Sequence, residues 1–117
     1  MKNHEFQLLS KQIKNLSIFI FILIFFILGM CLNFVVVSEN GGKMPVLFQN
    51  FEFEYERHFS FSECSEVKYC YLADIFQLSS FIFSIGDFLI IFSISIEIMF
   101  LIKIYIIKEK IKKIVLR

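Results

Sequence analysis

The sequence contains no tryptophan, one proline and two histidines. Because the histidines are His4 and His58, no Ser-His-Asp or Cys-His arrangement for nucleophilic catalysis is convincing. No phosphate-loop pattern follows the glycine pair Gly41-Gly42. The basic C-terminal tail also lacks the interleaved, accessible aromatic residues of a nucleic-acid-binding surface. We therefore expect no catalytic site, no cofactor and no nucleic-acid partner.

Apolar residues dominate the composition instead. They make up 57% of the 117 residues, 17 of which are phenylalanine, and the mean hydropathy is +0.72. A single domain of this size and composition would expose large apolar surfaces in water, so the composition indicates a membrane protein. The excess of Phe, Ile, Lys, Asn and Leu is typical of AT-rich genomes, such as those of low-GC bacteria or organelles.

The first uncharged apolar run covers residues 16–37 and follows a polar segment, residues 1–15. As a helix this run is about 33 Å long, enough to cross a hydrocarbon core of roughly 30 Å. It is longer than the apolar part of a cleavable signal peptide and has no A-x-A site. Met30 before Cys31 does not suit a lipoprotein signal. The run therefore predicts a transmembrane helix over residues 16–37.

A second apolar run covers residues 81–107 and precedes a basic tail, residues 108–117. Within it, Ser84 and Asp87 match the S-x-x-D capping pattern, so the helix itself is predicted to begin at Ile85. Asp87 then lies in the first turn, where the helix dipole favours an acid. The run predicts a second transmembrane helix with Asp87 at the membrane edge.

Residues 38–80 form a polar loop between the two runs. Apolar and polar residues alternate over residues 51–62, which predicts an extended strand with one apolar face. Leu72, Ile75 and Phe76 are spaced as on one face of a helix, so residues 71–78 are predicted to form a short interfacial helix. The loop is therefore expected to have mixed structure.

The distribution of charge predicts how the chain is oriented. The loop is negative overall, whereas both flanks are positive. By the positive-inside rule both termini face the cytoplasm and the loop faces outward. The basic tail serves either this orientation alone or also binding to anionic lipid. The predicted fold is an all-α membrane protein, a two-helix transmembrane hairpin with an extracytoplasmic loop, placed as a multi-pass protein in the cell membrane.

Motifs border the loop on both sides. The first helix contains Gly29 and Asn33, Asp74 lies late in the loop, and the second helix opens with Ser84, Ile85, Gly86 and Asp87. The first helix is followed by Asn40, Gly41, Gly42, Lys43, Met44, Pro45 and Val46. In their order along the chain these motifs, together with His58 between the second and the third, resemble a family of small bacterial integral membrane proteins, common in Firmicutes, that has no assigned function.

The resemblance covers roughly residues 29–96. It implies a bacterial membrane location and supplies no chemistry. Typical members have further transmembrane helices before this region, so the chain is expected to be a shortened member.

Glu97 lies near the middle of the second predicted helix, where an acid costs about 2.5 to 3.5 kcal/mol on insertion. Ser93, four residues earlier, lies on the same face and is placed to hydrogen-bond it. One hypothesis is a proton- or ion-binding carboxylate. The others are a packing contact with Asn33 or another polar group in an oligomer, and a protonated acid.

Three features of the loop have competing interpretations. For Cys64 and Cys70, a disulfide or a pair of free thiols is favoured over a metal site that includes His58, because the spacing matches no standard zinc pattern. For Gly41-Gly42, a turn at the helix exit is favoured over an anion-binding nest. Asp74 and Asp87 are expected to come close at the outer membrane face, without an identifiable substrate pocket.

Lipid already solvates apolar helix faces, so helix association needs small or polar contacts, such as Gly29, Asn33, Ser93 and Ser95. We therefore expect a homo-oligomer or a larger membrane-protein partner. The leading hypothesis is an accessory or interaction subunit of a membrane assembly. The alternatives are a minimal ion- or proton-conducting oligomer that uses Glu97, and a small subunit of an organellar respiratory complex.

Overall fold

The computed structural model describes residues 2–48 and 56–115, most of which lie in two long helices. Helix α1 runs from Lys2 to Glu39, and helix α2 runs from Ile85 to Val115. Among the described residues, Phe6–Glu39 and Ile85–Ile114 are long and apolar enough to cross a membrane. The two predicted apolar helices are therefore present, with a small sheet region between them.

Both helices are longer than the apolar runs from which they were predicted. Helix α1 has 38 residues, so it is about 57 Å long, well beyond a hydrocarbon core of roughly 30 Å. Its first turns and the last turns of α2 are rich in Lys, Glu and Gln, which are good helix formers. The polar flanks consequently continue the helices, and the molecule extends over 66 Å.

The loop contains short strands, which pair in two small sheets in the described part of the chain. Strands β1 (Met44–Leu47) and β2 (His58–Phe61) are parallel, with Met44 opposite His58. Strands β3 (Phe76–Leu78) and β4 (Phe81–Phe83) are antiparallel. Of the strand predicted over residues 51–62, the structure shows β2; residues 56, 57 and 62 are bends, and residues 49–55 lie outside the described residues.

The predicted interfacial helix over residues 71–78 is wrong. A 3₁₀ turn, Cys70–Leu72, is followed by extended backbone and then by β3. The backbone N–H of Asp74 donates to the carbonyl of Pro45 at 3.0 Å, and that of Leu47 donates to the carbonyl of Asp74 at 2.9 Å. Because β1 supplies these hydrogen bonds, pairing between distant segments overrides the local helical spacing.

A small hydrophobic core forms where the loop packs against the end of α1. Its buried members come from α1, from the strands and from the turn before Asp74: Val36, Met44, Phe61, Cys70 and Ala73. The core holds β1 and β2 against α1, so the loop is attached to one helix end. The polar groups of the loop are thereby placed beside the N-terminus of α2.

Candidate functional site

The backbones of the two helices come into contact at Gly29 of α1 and Gly86 of α2. A Cβ atom built on Gly29 would lie 2.6 Å from the carbonyl oxygen of Gly86, and one built on Gly86 would lie 2.7 Å from the carbonyl oxygen of Gly29. Neither position has room for a side chain, so the two backbones touch directly. Such close approach through small residues is a common way for helices to associate in a membrane.

This contact brings Asn33 next to the first turn of α2. The Asn33 amide nitrogen Nδ2 donates to Asp87 Oδ1 at 2.8 Å, and Ser84 Oγ donates to Asn33 Oδ1 at 2.8 Å. Asn33 thus lies with Ser84 and Asp87, whereas the sequence hypothesis had grouped it with Ser93 and Glu97. The amide is held from both sides, which fixes its orientation.

The predicted capping box at the start of α2 is confirmed. The backbone N–H of Asp87 donates to Ser84 Oγ at 3.0 Å, and the backbone N–H of Ser84 donates to Asp87 Oδ2 at 3.1 Å. These bonds satisfy N–H groups that a helix N-terminus otherwise leaves unpaired. Together with the Asn33 contacts they hold the Asp87 carboxylate in one orientation.

The exit of α1 is a glycine turn. Gly41 and Gly42 have φ of 72° and 84°, the left-handed region that glycine adopts without strain. The N–H of Gly42 donates to the carbonyl of Val37 at 2.9 Å, as in a helix C-cap. This geometry agrees with the interpretation of Gly41-Gly42 as a helix-terminating turn, and Pro45 follows in β1.

Asn40 joins this turn to the loop. Its Nδ2 donates to the carbonyls of Val36 at 2.8 Å and Lys68 at 2.9 Å, and its Oδ1 accepts from the backbone N–H of Lys68 at 3.0 Å. An exposed ion pair between Lys68 Nζ and Glu39 Oε2 at 3.0 Å lies alongside. The asparagine of the NGGKMPV motif therefore has a structural role, holding the loop on the helix end.

A cleft of about 430 Å³ opens between the loop and the two helix ends. Its lining combines two acids, an amide, a guanidinium and an imidazole with apolar groups: Asn33, Val37, Gly42, Met44, Arg57, His58, Asp74 and Asp87. Asp74 and Asp87 therefore face the same space, as the sequence led us to expect. The structure adds the pocket that sequence reasoning could not identify.

Asp74 is the least satisfied polar group of this cleft. Asp74 is only 7% exposed, and its Oδ1 atom is buried without a hydrogen-bond partner among the residues that the structure describes. Burial, and to a smaller extent the neighbouring charge of Asp87, raise the pKa of Asp74 from an ordinary value of 3.8 to about 7. The cleft thus contains a carboxyl group that can accept a hydrogen bond or bind a proton at neutral pH.

Sequence reasoning missed Arg57 in the cleft and had considered His58 only as a metal ligand. The parallel pairing of β1 with β2 places His58 opposite Met44, and the N–H of Met44 donates to the carbonyl of Arg57 at 2.8 Å. No local pattern signals this placement, because it depends on which strand β2 pairs with. In the described ranges, no group of three His, Cys, Asp or Glu residues could hold a metal ion.

A second, smaller groove of about 160 Å³ lies along the helix pair at Glu97. Ser93 is buried, and its Oγ donates to the carbonyl of Leu89 at 2.7 Å rather than to Glu97. Glu97 itself is exposed. The remaining lining is apolar and comes from α1: Phe19, Ile22, Leu23 and Phe26.

The cysteines differ in state. Cys64 and Cys70 form a disulfide with a Cα–Cα distance of 5.3 Å, whereas Cys31 is an exposed free thiol of α1. Cys70 also belongs to the small hydrophobic core. The bond therefore ties the exposed 3₁₀ turn Cys64–Glu66 to the buried part of the loop.

Comparison with known proteins identifies the family. A family model described as a family of unknown function, DUF5317, matches residues 6–103. The chain belongs to this family. The match includes most of α1, the whole loop with its cleft, and most of α2. No curated protein and no solved structure matches the chain.

Proposed function

We propose that this DUF5317 protein is a membrane-spanning interaction subunit whose surface around Glu97 binds a second membrane-embedded chain. Its two long helices form the anchor, and they bury little of themselves against each other: 17% of the most apolar window of α1 and 6% of that of α2. Most of their surface is therefore available to lipid or to other helices. Apolar surface alone does not show whether lipid or another helix covers it, since lipid tails are as apolar as leucine.

The exposed carboxyl group of Glu97 is the observation that supports a protein partner. Glu97 lies twelve residues after Ile85, so it is about 18 Å along α2, roughly midway through a hydrocarbon core of about 30 Å. An acid facing lipid at this depth costs about 2.5 to 3.5 kcal/mol. A partner that presents a hydrogen-bond donor to Glu97 would offset this cost, which makes association favourable.

The proposed orientation has both termini in the cytoplasm and the loop outside. The basic residues flanking both apolar helices support it through the positive-inside rule. The Cys64–Cys70 disulfide of the loop also suits an oxidising, extracytoplasmic compartment. The earlier resemblance to bacterial membrane proteins favours a bacterial cell membrane over an organelle.

Site-specific photocross-linking in native membranes tests the partner surface. A photoreactive residue at Leu101 lies close to Glu97 around the helix, and one at Met99 lies on the opposite face; both positions are exposed. We expect a discrete protein adduct from position 101 that is lost on Glu97→Gln, and no protein adduct from position 99. The mass of the adduct distinguishes a second copy of this chain from a different protein.

Equal adducts from both faces, or an adduct that Glu97→Gln leaves unchanged, would contradict the proposal. The alternative role as an ion- or proton-conducting oligomer has its own assay in proteoliposomes. Proton flux that Glu97→Gln abolishes would favour that role over the interaction subunit.

A further inference from the structure

The cleft between the loop and the helix ends is a second candidate site, separate from the Glu97 surface. We propose that it binds a zwitterion with a primary ammonium group and a nearby phosphate or carboxylate, supplied by the headgroup of phosphatidylethanolamine. Such a site goes beyond the proposed interaction role. It assigns a ligand to the loop rather than a protein to the helices.

The buried carboxyl group of Asp74 is the anchor of this site. Asp74 is 7% exposed and lines the cleft, and within the described part of the chain its buried Oδ1 atom has no hydrogen-bond partner. A buried acceptor without a partner costs free energy, so a ligand that donates a hydrogen bond to it gains binding free energy. A primary ammonium provides three N–H donors and a charge that strengthens the bond.

Asp87 makes the cleft more favourable for a cation. Both of its oxygens accept hydrogen bonds, from Asn33 and from the backbone of Ser84, so its carboxylate is fixed beside the cleft. It is near enough to raise the pKa of Asp74, which means that the two acids repel each other when both are charged. A bound ammonium relieves this repulsion.

The size of the cleft and its donor set favour an organic cation over a metal ion. The volume of about 430 Å³ falls within the roughly 300 to 1,000 Å³ of small-molecule sites. Over the described ranges, 2–48 and 56–115, no three His, Cys, Asp or Glu side chains group as metal ligands. A bare metal ion would therefore lack ligands, whereas an ammonium needs only acceptors on one side.

Arg57 indicates that the ligand also carries a negative group. Arg57 lines the cleft and is exposed, as is the neighbouring His58, so its side chain is accessible to a ligand that enters the cleft. A guanidinium binds phosphate and carboxylate oxygens in a bidentate manner. The site would thus hold the ammonium inside against Asp74 and the anionic group outside against Arg57.

The position of the cleft favours a lipid as the source. Its lining includes Asn33, close to the end of the apolar segment of α1, and Asp87, in the first turn of α2. In a bilayer spanned by both helices, this level corresponds to the polar headgroup region. A headgroup could enter from the side without leaving the membrane.

Native mass spectrometry of the full chain in a non-ionic detergent tests the proposal. We expect phosphatidylethanolamine to be retained at least about tenfold better than phosphatidylcholine with the same acyl chains, because a trimethylammonium has no N–H donor. Asp74→Asn should reduce the retention of phosphatidylethanolamine to the level of phosphatidylcholine. Glu109→Gln, at the far end of α2, should leave it unchanged.

Soluble probes test the ammonium and the anionic group of the ligand separately. They also distinguish an intact lipid from a free soluble compound as its source. Arg57→Gln should weaken the displacement of bound phosphatidylethanolamine by phosphoethanolamine. It should not change displacement by ethanolamine, which has no anionic group. If phosphoethanolamine binds and the intact lipid is not retained, the zwitterion site stands and the lipid source is rejected. Equal retention of the two lipids by the unaltered protein overturns the proposal even if Asp74→Asn fails to fold.

Failure of this site can be told apart from failure of the interaction role. Glu97→Gln should leave phosphatidylethanolamine retention unchanged. Asp74→Asn should leave the adduct from position 101 unchanged. Unaltered lipid retention by a folded Asp74→Asn protein would contradict the headgroup site alone.

Discussion

Gly29 and Gly86 bring the backbones of α1 and α2 into direct contact, with each carbonyl oxygen close to where the other residue would carry a Cβ atom. The contact is also what places Asn33 beside the capping box of α2, since Asn33 follows Gly29 by one helical turn. The glycines and the polar network are therefore parts of one joint. The Gly29 and Asn33 motif of α1 and the Ser84 to Asp87 motif of α2 therefore meet at this joint in space.

Replacing either glycine by alanine should separate the helices. At Gly29 the added methyl group would meet the carbonyl oxygen of Gly86, and at Gly86 it would meet the Asn33 side chain and the carbonyl oxygen of Gly29. The carbonyl oxygens can move only if a helix moves. We expect Gly86→Ala to lower the free energy of unfolding by about 1 to 3 kcal/mol, as overpacking does elsewhere. Unfolding of the purified protein in mixed micelles measures this.

Ser95→Ala is the matched control for the glycine variants. Ser95 is an exposed residue of the same helix, and its hydroxyl bonds only to the carbonyl of Ile91 among the described contacts. Its substitution should change stability by less than about 0.5 kcal/mol. Similar losses for the glycine and serine variants would mean that the helix contact does not stabilise the protein.

The Asn33 network should behave as a unit. Asn33→Ala removes a donor to the half-buried Asp87 and an acceptor for the buried Ser84, and we expect a loss of about 1 to 3 kcal/mol because both groups lose a hydrogen-bond partner. Ser84→Ala removes the cap and should cost about 1 kcal/mol. In a double-mutant cycle the double variant should lose less free energy of unfolding than the sum of the two single losses, since both substitutions break the same Asn33–Ser84 hydrogen bond. Strict additivity would show that Asn33 and Ser84 act independently.

Stability should decrease with pH because of Asp74. The folded protein keeps the Asp74 proton up to about pH 7, whereas the unfolded chain loses it near pH 3.8. Between these values the unfolded state binds fewer protons, so the free energy of unfolding falls as pH rises, by up to about 4 kcal/mol at pH 7 and above.

Asp74→Asn should remove that contribution, because an amide does not titrate. His58, Arg57 and Asp87 face the same cleft and are present in both proteins. The difference between the two unfolding curves at pH 4.5 and pH 8 therefore reports Asp74. A constant difference across this range would show that Asp74 has the same pKa in the folded and unfolded states.

The disulfide should stabilise the loop and report its side of the membrane. Cys64 and Cys70 are six residues apart. In the chain-entropy model, removing a disulfide that closes so short a loop lowers the free energy of unfolding by about 2 kcal/mol. After mild reduction, a membrane-impermeant thiol reagent should label Cys64 or Cys70 in intact cells. Labelling of these cysteines only after lysis would reverse the proposed orientation.

The parts of the fold that depend on neighbouring residues were predictable. The apolar runs indicated both helices, and the Ser84-x-x-Asp87 pattern located the start of α2 at Ile85. Alternation indicated the strand whose described part is β2. Each of these features follows from the length of an apolar run, from side-chain alternation or from a four-residue capping pattern, all of which a sequence displays directly.

The interfacial helix predicted over residues 71–78 failed for the opposite reason. Leu72, Ile75 and Phe76 have helical spacing, but the backbone at Asp74 forms hydrogen bonds with β1, nearly thirty residues earlier in the chain. The site depends on distant pairs in the same way. Asn33 bonds Asp87 across 54 positions, and β2 brings Arg57 to the cleft by pairing with β1.

The sequence by itself determined that the chain has two long apolar helices, a polar loop between them and a capped start to the second helix. These properties follow from hydropathy and local hydrogen bonding, which act over a few residues. Only the tertiary structure decided that Gly29 meets Gly86, that Asn33 bonds Asp87, and that Asp74 is buried with an oxygen that no described residue pairs. Burial and backbone contact depend on what distant segments cover, and no local pattern specifies that.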